Sequence, residues 1–273
     1  MSRNLPFDQA HGLRRLFAHA QTRFVPVVSN PYVGFGGLML ERLCAGFAEQ
    51  GVTTLVVDAS EQAAEPAEAA LFELAACIES LSDRISYLAA RGLSARYVDA
   101  TGSTAPFLRA VVEAAPASQV VLIHAPAAEL CRLFARRSSA ADADPVCPLL
   151  LAEDRPSSVT HAYAAMKLLA TRADLRVHEL VLGASAGSPR AGRIAVQVAL
   201  CADEFFRSVL RDWLLIDPAA GSSQAVTPGL RRWVAHRLQR PSLDGPAAEP
   251  DTIDIPGPRA GATRFTASNH AFH

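Results

Sequence analysis

Short stretches rich in β-branched residues most constrain how this chain of 273 residues can fold. Residues 54–57 read Thr-Leu-Val-Val and residues 120–123 read Val-Val-Leu-Ile, without alternating polar and apolar side chains. Strands that are covered on both faces lack this alternation, whereas strands with one face in water show it. Longer helical patterns separate such stretches along the chain. The sequence therefore predicts an α/β protein with a doubly wound, mostly parallel sheet flanked by helices.

The alternation gives approximate positions for the individual elements. The predicted strands are Phe24–Ser29, Thr53–Asp58, Ala95–Val98, Gln119–His124, Cys147–Ala152, Glu179–Gly183 and Trp213–Asp217. The predicted helices cover about residues 37–50, 67–90, 104–115, 127–137, 157–172 and 190–211. Ser157, which follows Pro156, is a plausible N-cap for one of these helices.

The two ends of the chain differ from its middle. We predict one α/β domain over residues 24–240, preceded by a separate helical segment at 1–23. Residues 241–273 contain five Pro and three Gly and show no long apolar periodicity, so we expect a disordered tail.

Charge and cysteine spacing exclude several classes of protein. The 26 basic and 27 acidic residues nearly cancel, which argues against a nucleic-acid-binding protein. No apolar run approaches the roughly 18–20 residues that span a bilayer, and the first twenty residues lack an apolar signal-peptide core. The five cysteines form no CxxC pair, so neither a zinc site nor a redox site is expected. We expect a cytoplasmic protein whose cysteines are buried and reduced.

The loop after the first predicted strand is where a doubly wound sheet places its ligand. Residues 29–37 read Ser-Asn-Pro-Tyr-Val-Gly-Phe-Gly-Gly. A phosphate-binding loop needs backbone amides together with a lysine and a Ser/Thr hydroxyl, but residues 29–41 contain no Lys or Arg. A dinucleotide fingerprint also fails, because Met39 stands where its third Gly belongs. Asp58 could still contact a ribose hydroxyl, so an oxidoreductase is disfavoured rather than excluded.

From the first strand to Ser60 the chain resembles the MinD/ParA class of P-loop ATPases. The particular likeness is to the flagellar-number regulators FlhG and FleN, also called YlxH. That family typically reads S-G-K-G-G-V-G-K-T, then a helix, then L-L-D-A-D. Laid on without a gap, Ser29 matches the first serine, and Asp58-Ala59 matches the start of D-A-D.

The residues that carry ATP chemistry in the family are replaced here. The signature Lys falls on Pro31, the phosphate-loop Lys on Gly36 and the magnesium-binding Thr on Gly37. The last Asp of D-A-D falls on Ser60, and the Asp of a later D-T-P-A-G motif falls on His124. The resemblance thus implies a MinD/ParA-like fold without catalytic residues, bound metal, ATP or magnesium. The implied vestigial site comprises Ser29, Asn30, Pro31, Gly34, Gly36, Gly37, Asp58 and His124.

Another stretch strengthens the likeness. Residues 155–167 resemble the family's P-T-S-I-T-D-A-Y-x-x-x-K. They depart from it at His161 and agree with it at Pro156, Ser158, Thr160, Ala162, Tyr163 and Lys167.

Residues 7–17 predict an amphipathic helix ahead of the domain. They resemble the D-Q-A-x-x-L-R motif that family members carry at the N-terminus, with matches at Asp8, Gln9, Ala10, Leu13 and Arg14. In the family this segment binds the signal-recognition-particle-type GTPase FlhF and stimulates its GTP hydrolysis. The resemblance implies that Gln9 lies nearest the partner's nucleotide and that Leu13 is an apolar anchor. An ordinary helix docked on its own domain is the alternative.

Residues 229–240 predict a second amphipathic helix, which is basic. It could pack on the sheet as the family's last helix does, or lie on a membrane surface. We favour the packed helix because its apolar face includes a tryptophan. The residues concerned are Leu230, Arg231, Arg232, Trp233 and Leu238.

Two readings of function follow. The first is a regulator of flagellar number or placement whose partners are an FlhF-type GTPase and flagellar basal-body or regulator proteins. It would be a monomer or a constitutive dimer regardless of ATP, since Pro31 replaces the signature Lys. The alternative is a weakly active MinD-like ATPase that uses Lys167 or Arg155 and associates peripherally with the inner membrane or cell pole.

Overall fold

The computed structural model describes residues 22–71, 73–135, 146–221 and 224–239. Within them the strands are β1 (Arg23–Val28), β2 (Thr54–Asp58), β3 (Glu79–Ser82), β4 (Ile85–Ala89), β5 (Val120–Ala125), β6 (Leu149–Glu153), β7 (Val177–Gly183) and β8 (Val209–Ile216). They form one sheet in the order β3-β4-β2-β5-β1-β6-β7-β8. Only the β3–β4 pair within this sheet is antiparallel. The predicted mostly parallel, doubly wound sheet is confirmed.

Helices cover both faces of the sheet. The described α-helices are α1 (Gly36–Glu49), α2 (Pro106–Ala114), α3 (Ala127–Phe134), α4 (Pro156–Ala173), α5 (Ala191–Phe206) and α6 (Pro228–Gln239). Residues of α1 and α6 pack on one face, and residues of α2 to α5 pack on the other. Short 3-10 helices lie at Glu68–Leu71, Leu74–Cys77 and Leu93–Tyr97.

The central strands are buried on both faces. In β2, Leu55 and Val57 belong to the core on the α2–α5 face, whereas Val56 belongs to the core beneath α1 and α6. In β5, Val121 belongs to the core on the α2–α5 face and Leu122 belongs to the core beneath α1 and α6. Successive side chains of a strand point to opposite faces, so two covered faces require apolar residues at every position.

The helix predicted over residues 67–90 is wrong. That stretch contains two 3-10 helices and the hairpin β3–β4. β4 pairs in parallel with β2 from Thr54↔Ile85 to Asp58↔Ala89, so it supplies the backbone partners along one edge of β2. This long-range pairing overrides the helical propensity of an Ala-rich segment.

Four smaller predictions are also wrong. Most of the strand predicted at Ala95–Val98 belongs to the 3-10 helix Leu93–Tyr97, which follows Gly92, whose φ of +73° suits a glycine. The helix predicted over 190–211 ends at Phe206, and β8 begins at Val209 rather than Trp213. Ser157 is not the N-cap of α4, because Arg155 holds that position and makes no side-chain capping bond.

The last helix, α6, packs on the domain. Leu230, Trp233 and Val234 are buried, and the Trp233 ring meets Phe47 of α1 edge-on at 5.9 Å. A Cβ atom built on Gly46 of α1 would lie 3.0 Å from Val234, so glycine permits this close approach.

Arg231 and Arg232 of α6 are exposed, and Leu238 is partly buried against the same core. In the described part of the chain, every helix is too short or too polar to cross a bilayer.

The first and last described elements meet. Arg23 Nη1, at the start of β1, donates to the Arg237 carbonyl oxygen at 2.6 Å. Thr22 therefore lies at the amino end of the central strands, whereas the loop after β1 lies at their carboxyl end. Asp8, Gln9, Ala10, Leu13, Arg14 and the tail 241–273 lie outside the described residues.

Candidate functional site

Adjacent strands bring Asp58 and His124 together. β2 and β5 pair in parallel, and their register places Asp58 opposite His124 at the carboxyl end of the sheet. His124 Nδ1 lies 2.9 Å from Asp58 Oδ1, which is a hydrogen bond. The site therefore contains a carboxylate–imidazole pair, with the two residues drawn from different parts of the predicted vestigial site.

The surroundings of Asp58 keep it ionised. Burial by itself raises the pKa of Asp58, but the bonds from His124 and Ser60 outweigh it and hold that pKa below the ordinary 3.8. The Ser60 amide donates to Oδ1 at 3.0 Å, and the Tyr87 hydroxyl lies 3.4 Å from Oδ2. Burial, together with the nearby Asp58 charge, raises the pKa of Tyr87 to about 12. Tyr87 thus stays a protonated donor to Asp58.

Asn30 fixes the loop after β1. Its buried Nδ2 donates to the carbonyl oxygens of Leu151 at 2.8 Å and Ser158 at 3.0 Å. Its Oδ1 accepts from the Tyr32 amide at 3.1 Å. The loop is thereby tied to β6 and to the first turn of α4.

Glu153, the last residue of β6, is a site residue that the sequence reasoning missed. Its carboxylate Oε1 accepts from the amides of Gly34 at 2.5 Å and Phe35 at 3.3 Å. Its side chain is 4% exposed, and its Oε2 lies 3.3 Å from Arg155 Nε. Two consecutive loop amides are thus aimed at a carboxylate of the same chain.

One signal could have revealed Glu153. An acidic residue that ends an otherwise apolar strand lies where parallel strands gather their ligands. The predicted strand ended one residue earlier, at Ala152.

A cavity of about 450 Å³ lies between the strand ends, the loop after β1 and α4. Most of the predicted vestigial site lines it, the exception being Gly34, whose amide turns to Glu153. The predicted residues that line the cavity are Ser29, Asn30, Pro31, Gly36, Gly37, Asp58 and His124. The structure therefore gathers residues from three separate sequence motifs around one space.

The charges that line this cavity are negative. The carboxylates of Asp58 and Glu61 are among the lining residues, and the described lining contains neither Lys nor Arg. The two cations considered as substitutes lie elsewhere. Lys167 Nζ lies 6.0 Å from the centre of the Phe206 ring, and the 64% exposed Arg155 pairs with Glu153.

The segment 155–167 has distinct roles along α4. Pro156 begins the helix, where its missing amide costs no hydrogen bond. The Ser158 hydroxyl is fully buried and accepts from the Glu153 amide at 2.9 Å. His161 lines the cavity and meets the Tyr32 ring edge-on at 5.9 Å, whereas Tyr163 packs on Phe206 outside it.

No cluster of three or more His, Cys, Asp or Glu side chains in the described ranges could hold a metal ion. The described cysteines are all free.

Comparison with known proteins identifies the fold. The sequence matches no protein-family model and no curated protein. The structure is similar to a ParA family ATPase from Chlorobium tepidum TLS, with a TM-score of 0.52, 11% identity, and coverage of 80% of this chain and 99% of that one. It is also similar to cobyrinic acid a,c-diamide synthase from Mycobacterium smegmatis with bound ADP and magnesium, with a TM-score of 0.54, 14% identity, and coverage of 82% and 100%.

Apo McdA from Cyanthece gives a TM-score of 0.50 with 18% identity, covering 81% of this chain and 96% of that one. At these identities the likeness concerns the fold alone. The chain has the fold of the MinD/ParA-type P-loop ATPases.

Proposed function

We propose that this chain is a regulatory protein on a MinD/ParA-type fold that no longer uses ATP. We propose further that it acts in flagellar biogenesis by stimulating an FlhF-type GTPase through residues 7–17. The observation that carries the first part is the Glu153 carboxylate on the amides of Gly34 and Phe35.

A nucleoside triphosphate would compete with Glu153 for the same donors. Phosphate-binding loops present consecutive backbone N–H groups to an anion, and here a carboxylate accepts from two of them. To admit a phosphate, the loop would have to release Glu153, whose side chain is 4% exposed. A buried carboxylate without its partners costs several kcal/mol. The released Glu153 would also repel the incoming phosphate.

Nothing in the described lining compensates for that cost. Phosphoryl transfer depends on cations that neutralise the developing charge, and the described lining has no Lys or Arg. Gly37, at the family's magnesium-binding position, has no hydroxyl. Asp58 already accepts from His124. These features support an ATP-independent monomer or constitutive dimer.

The second part of the proposal rests on the resemblance at Asp8, Gln9, Ala10, Leu13 and Arg14. A glutamine can orient the attacking water in a GTPase site, and an amphipathic helix can dock its apolar face in a groove. The chain reaches β1 at the end of the sheet opposite the loop and Glu153.

The alternative of a membrane-bound, weakly active ATPase gains no specific support. Leu230 and Trp233 are buried against the domain, so α6 would have to leave it before its apolar face met lipid. Neither Lys167 nor Arg155 lines the cavity.

The test is GTP hydrolysis by the FlhF-type GTPase of the same organism in the presence of the full chain. We expect stimulation that Gln9→Ala abolishes and that Gln239→Ala, an exposed change on α6, leaves intact. Adding ATP with magnesium should change neither result. Equal stimulation by the Gln9→Ala variant, or no stimulation at all, would overturn the partner assignment.

A separate measurement tests the lost use of ATP. Calorimetric titration of the full chain with ATP and magnesium should give no binding, and gel filtration should give one elution volume with and without ATP. Glu153→Ala, which frees the amides of Gly34 and Phe35, should gain weak binding of inorganic pyrophosphate. Tight ATP binding or an ATP-induced dimer of the unmodified chain would refute this part of the proposal.

A further inference from the structure

The Asp58–His124 pair leaves one ring nitrogen of the histidine available. Asp58 Oδ1 lies 2.9 Å from His124 Nδ1, and a carboxylate in that place keeps a proton on the nitrogen it contacts. In the neutral imidazole, Nε2 then holds a lone pair and accepts a hydrogen bond. Because His124 lines the 450 Å³ cavity, Nε2 is the ring nitrogen left to bond a ligand at the strand ends.

A second imidazole lies in the cavity wall. His161 comes from α4, and burial lowers its pKa below 6.5, which leaves the ring uncharged near neutral pH. Its buried Nδ1 has no hydrogen-bond partner among the described residues. Its ring contacts Tyr32 edge-on, so aromatic surface borders this side of the cavity.

The rest of the lining is apolar or acidic. Leu40, Leu151 and Leu168 contribute hydrocarbon from three different elements. The described lining includes the carboxylates of Asp58 and Glu61 and contains no Lys or Arg, which disfavours an anionic ligand. A volume of about 450 Å³ lies within the range of small-molecule sites.

We infer that this cavity is a binding site for an uncharged heteroaromatic molecule of nucleoside size, which donates a hydrogen bond to His124 Nε2. The apolar walls remove the ring from water, and the imidazole acceptor selects a ring that bears an N–H donor. The lack of cations in the described lining selects against phosphorylated forms of the same molecule. This goes beyond the proposed function, since it requires neither the GTPase nor residues 7–17.

The test uses matched probes that differ by one phosphate group. Adenosine and guanosine are titrated into the full chain, followed by AMP and GMP, while the ring signals of the histidines are recorded by NMR. We expect at least one nucleoside to shift the His124 signal with a Kd below about 1 mM, and its monophosphate to bind about tenfold more weakly or worse.

Three variants separate the site from the fold. His124→Gln should abolish the binding, and His236→Gln, on the exposed side of α6, should leave it unchanged. Ala164→Phe fills the cavity from an exposed position of α4 and leaves Asp58 and His124 untouched, so it should also abolish binding. A thermal melt of each variant checks that it is folded.

Three outcomes would overturn the inference. One is that neither nucleoside binds. Another is that the monophosphates bind as tightly as the nucleosides. The third is that a folded Ala164→Phe protein binds as the unmodified chain does. Each leaves the GTPase measurement untouched, because that measurement contains no nucleoside.

Discussion

Two buried glutamates on neighbouring strands are held in different ways. Glu179 of β7 accepts from the side chains of Arg211, Arg237 and Trp233, and these bonds join β8 and α6 to the sheet. Burial raises the pKa of Glu179, but the two arginines outweigh it and bring that pKa below 4.5. Glu153 of β6 relies mainly on two backbone amides and on one mostly exposed arginine.

The difference shows what each charge does in the fold. Around Glu179, side chains from two further elements converge, so the carboxylate acts as a structural junction. Around Glu153, the donors belong to the loop after β1, which is the part of this fold that binds anions. Backbone amides can hold a buried carboxylate, and here a carboxylate occupies the amides of Gly34 and Phe35.

The largest expected effect comes from removing the charge of Glu179. Glu179→Gln keeps the shape of the side chain but leaves Arg211 and Arg237, both mostly buried, without an anion. Breaking a buried ion pair in this way costs about 3–5 kcal/mol. Urea unfolding should show that loss, whereas Glu49→Gln, at the surface pair with Arg231, should change little. Equal losses of unfolding free energy for the two variants would mean that the buried ion pairs of Glu179 contribute no more than a surface pair.

A change of pH is expected to have an intermediate effect on the free energy of unfolding. The residue responsible is His178, which precedes Glu179 on β7. His178 is fully buried, neither ring nitrogen has a described partner, and burial lowers its pKa from 6.5 to about 4. The unfolded chain therefore binds more protons below pH 6.5, and the free energy of unfolding falls as the pH falls. The expected loss from His178 alone is about 1.5 kcal/mol between pH 6.5 and 5.

Urea titrations at several pH values check this slope. His178→Leu should flatten it, and His236→Leu, at an exposed position, should not. An unchanged slope in His178→Leu would assign the pH dependence to other groups.

The smallest expected effect is that of Glu153→Gln. The amide oxygen of glutamine can still accept from Gly34, and no cation is left fully buried, since Arg155 is 64% exposed. The loss should be about 1 kcal/mol, the difference between a charged and a neutral acceptor. Urea unfolding of Glu153→Gln and Glu179→Gln under the same conditions compares the two losses of unfolding free energy directly. A loss as large as that of Glu179→Gln would show that the loop depends on the charge itself.

Local pattern was sufficient for the central strands and for most helices. The sequences of β2 and β5 lack polar alternation because both faces of these strands are covered. This requirement does not depend on which strands are their neighbours. The helix prediction for residues 67–90 failed because β4 joins the sheet by pairing with β2, a partner distant in sequence. The Ala-rich composition of the segment favours a helix, and its own sequence does not reveal that β2 needs a second strand partner.

The site could be predicted only as a set of positions. Asp58 and His124 were identified through separate motifs, but their hydrogen bond exists because β2 and β5 are neighbours in the sheet. Glu153 reaches the loop after β1 because β6 lies beside β1. The order of the strands in the sheet determines which carboxylate contacts which loop. A short sequence motif does not specify that order.

The contact between Arg23 and the Arg237 carbonyl has a consequence for control of the protein. Residue 22, where the described chain begins, lies at one end of β1, and the loop at the family's nucleotide-binding position follows its other end. The six residues of β1 separate the two points by about 20 Å. β1 is hydrogen-bonded to β5 on one side and to β6 on the other, whereas coupling between two sites needs an element with two arrangements. Under the function proposed above, residues 7–17 would act on their partner without a nucleotide-dependent switch. The stimulation would then scale with the number of copies of the chain, so its expression level rather than its nucleotide state would set the output.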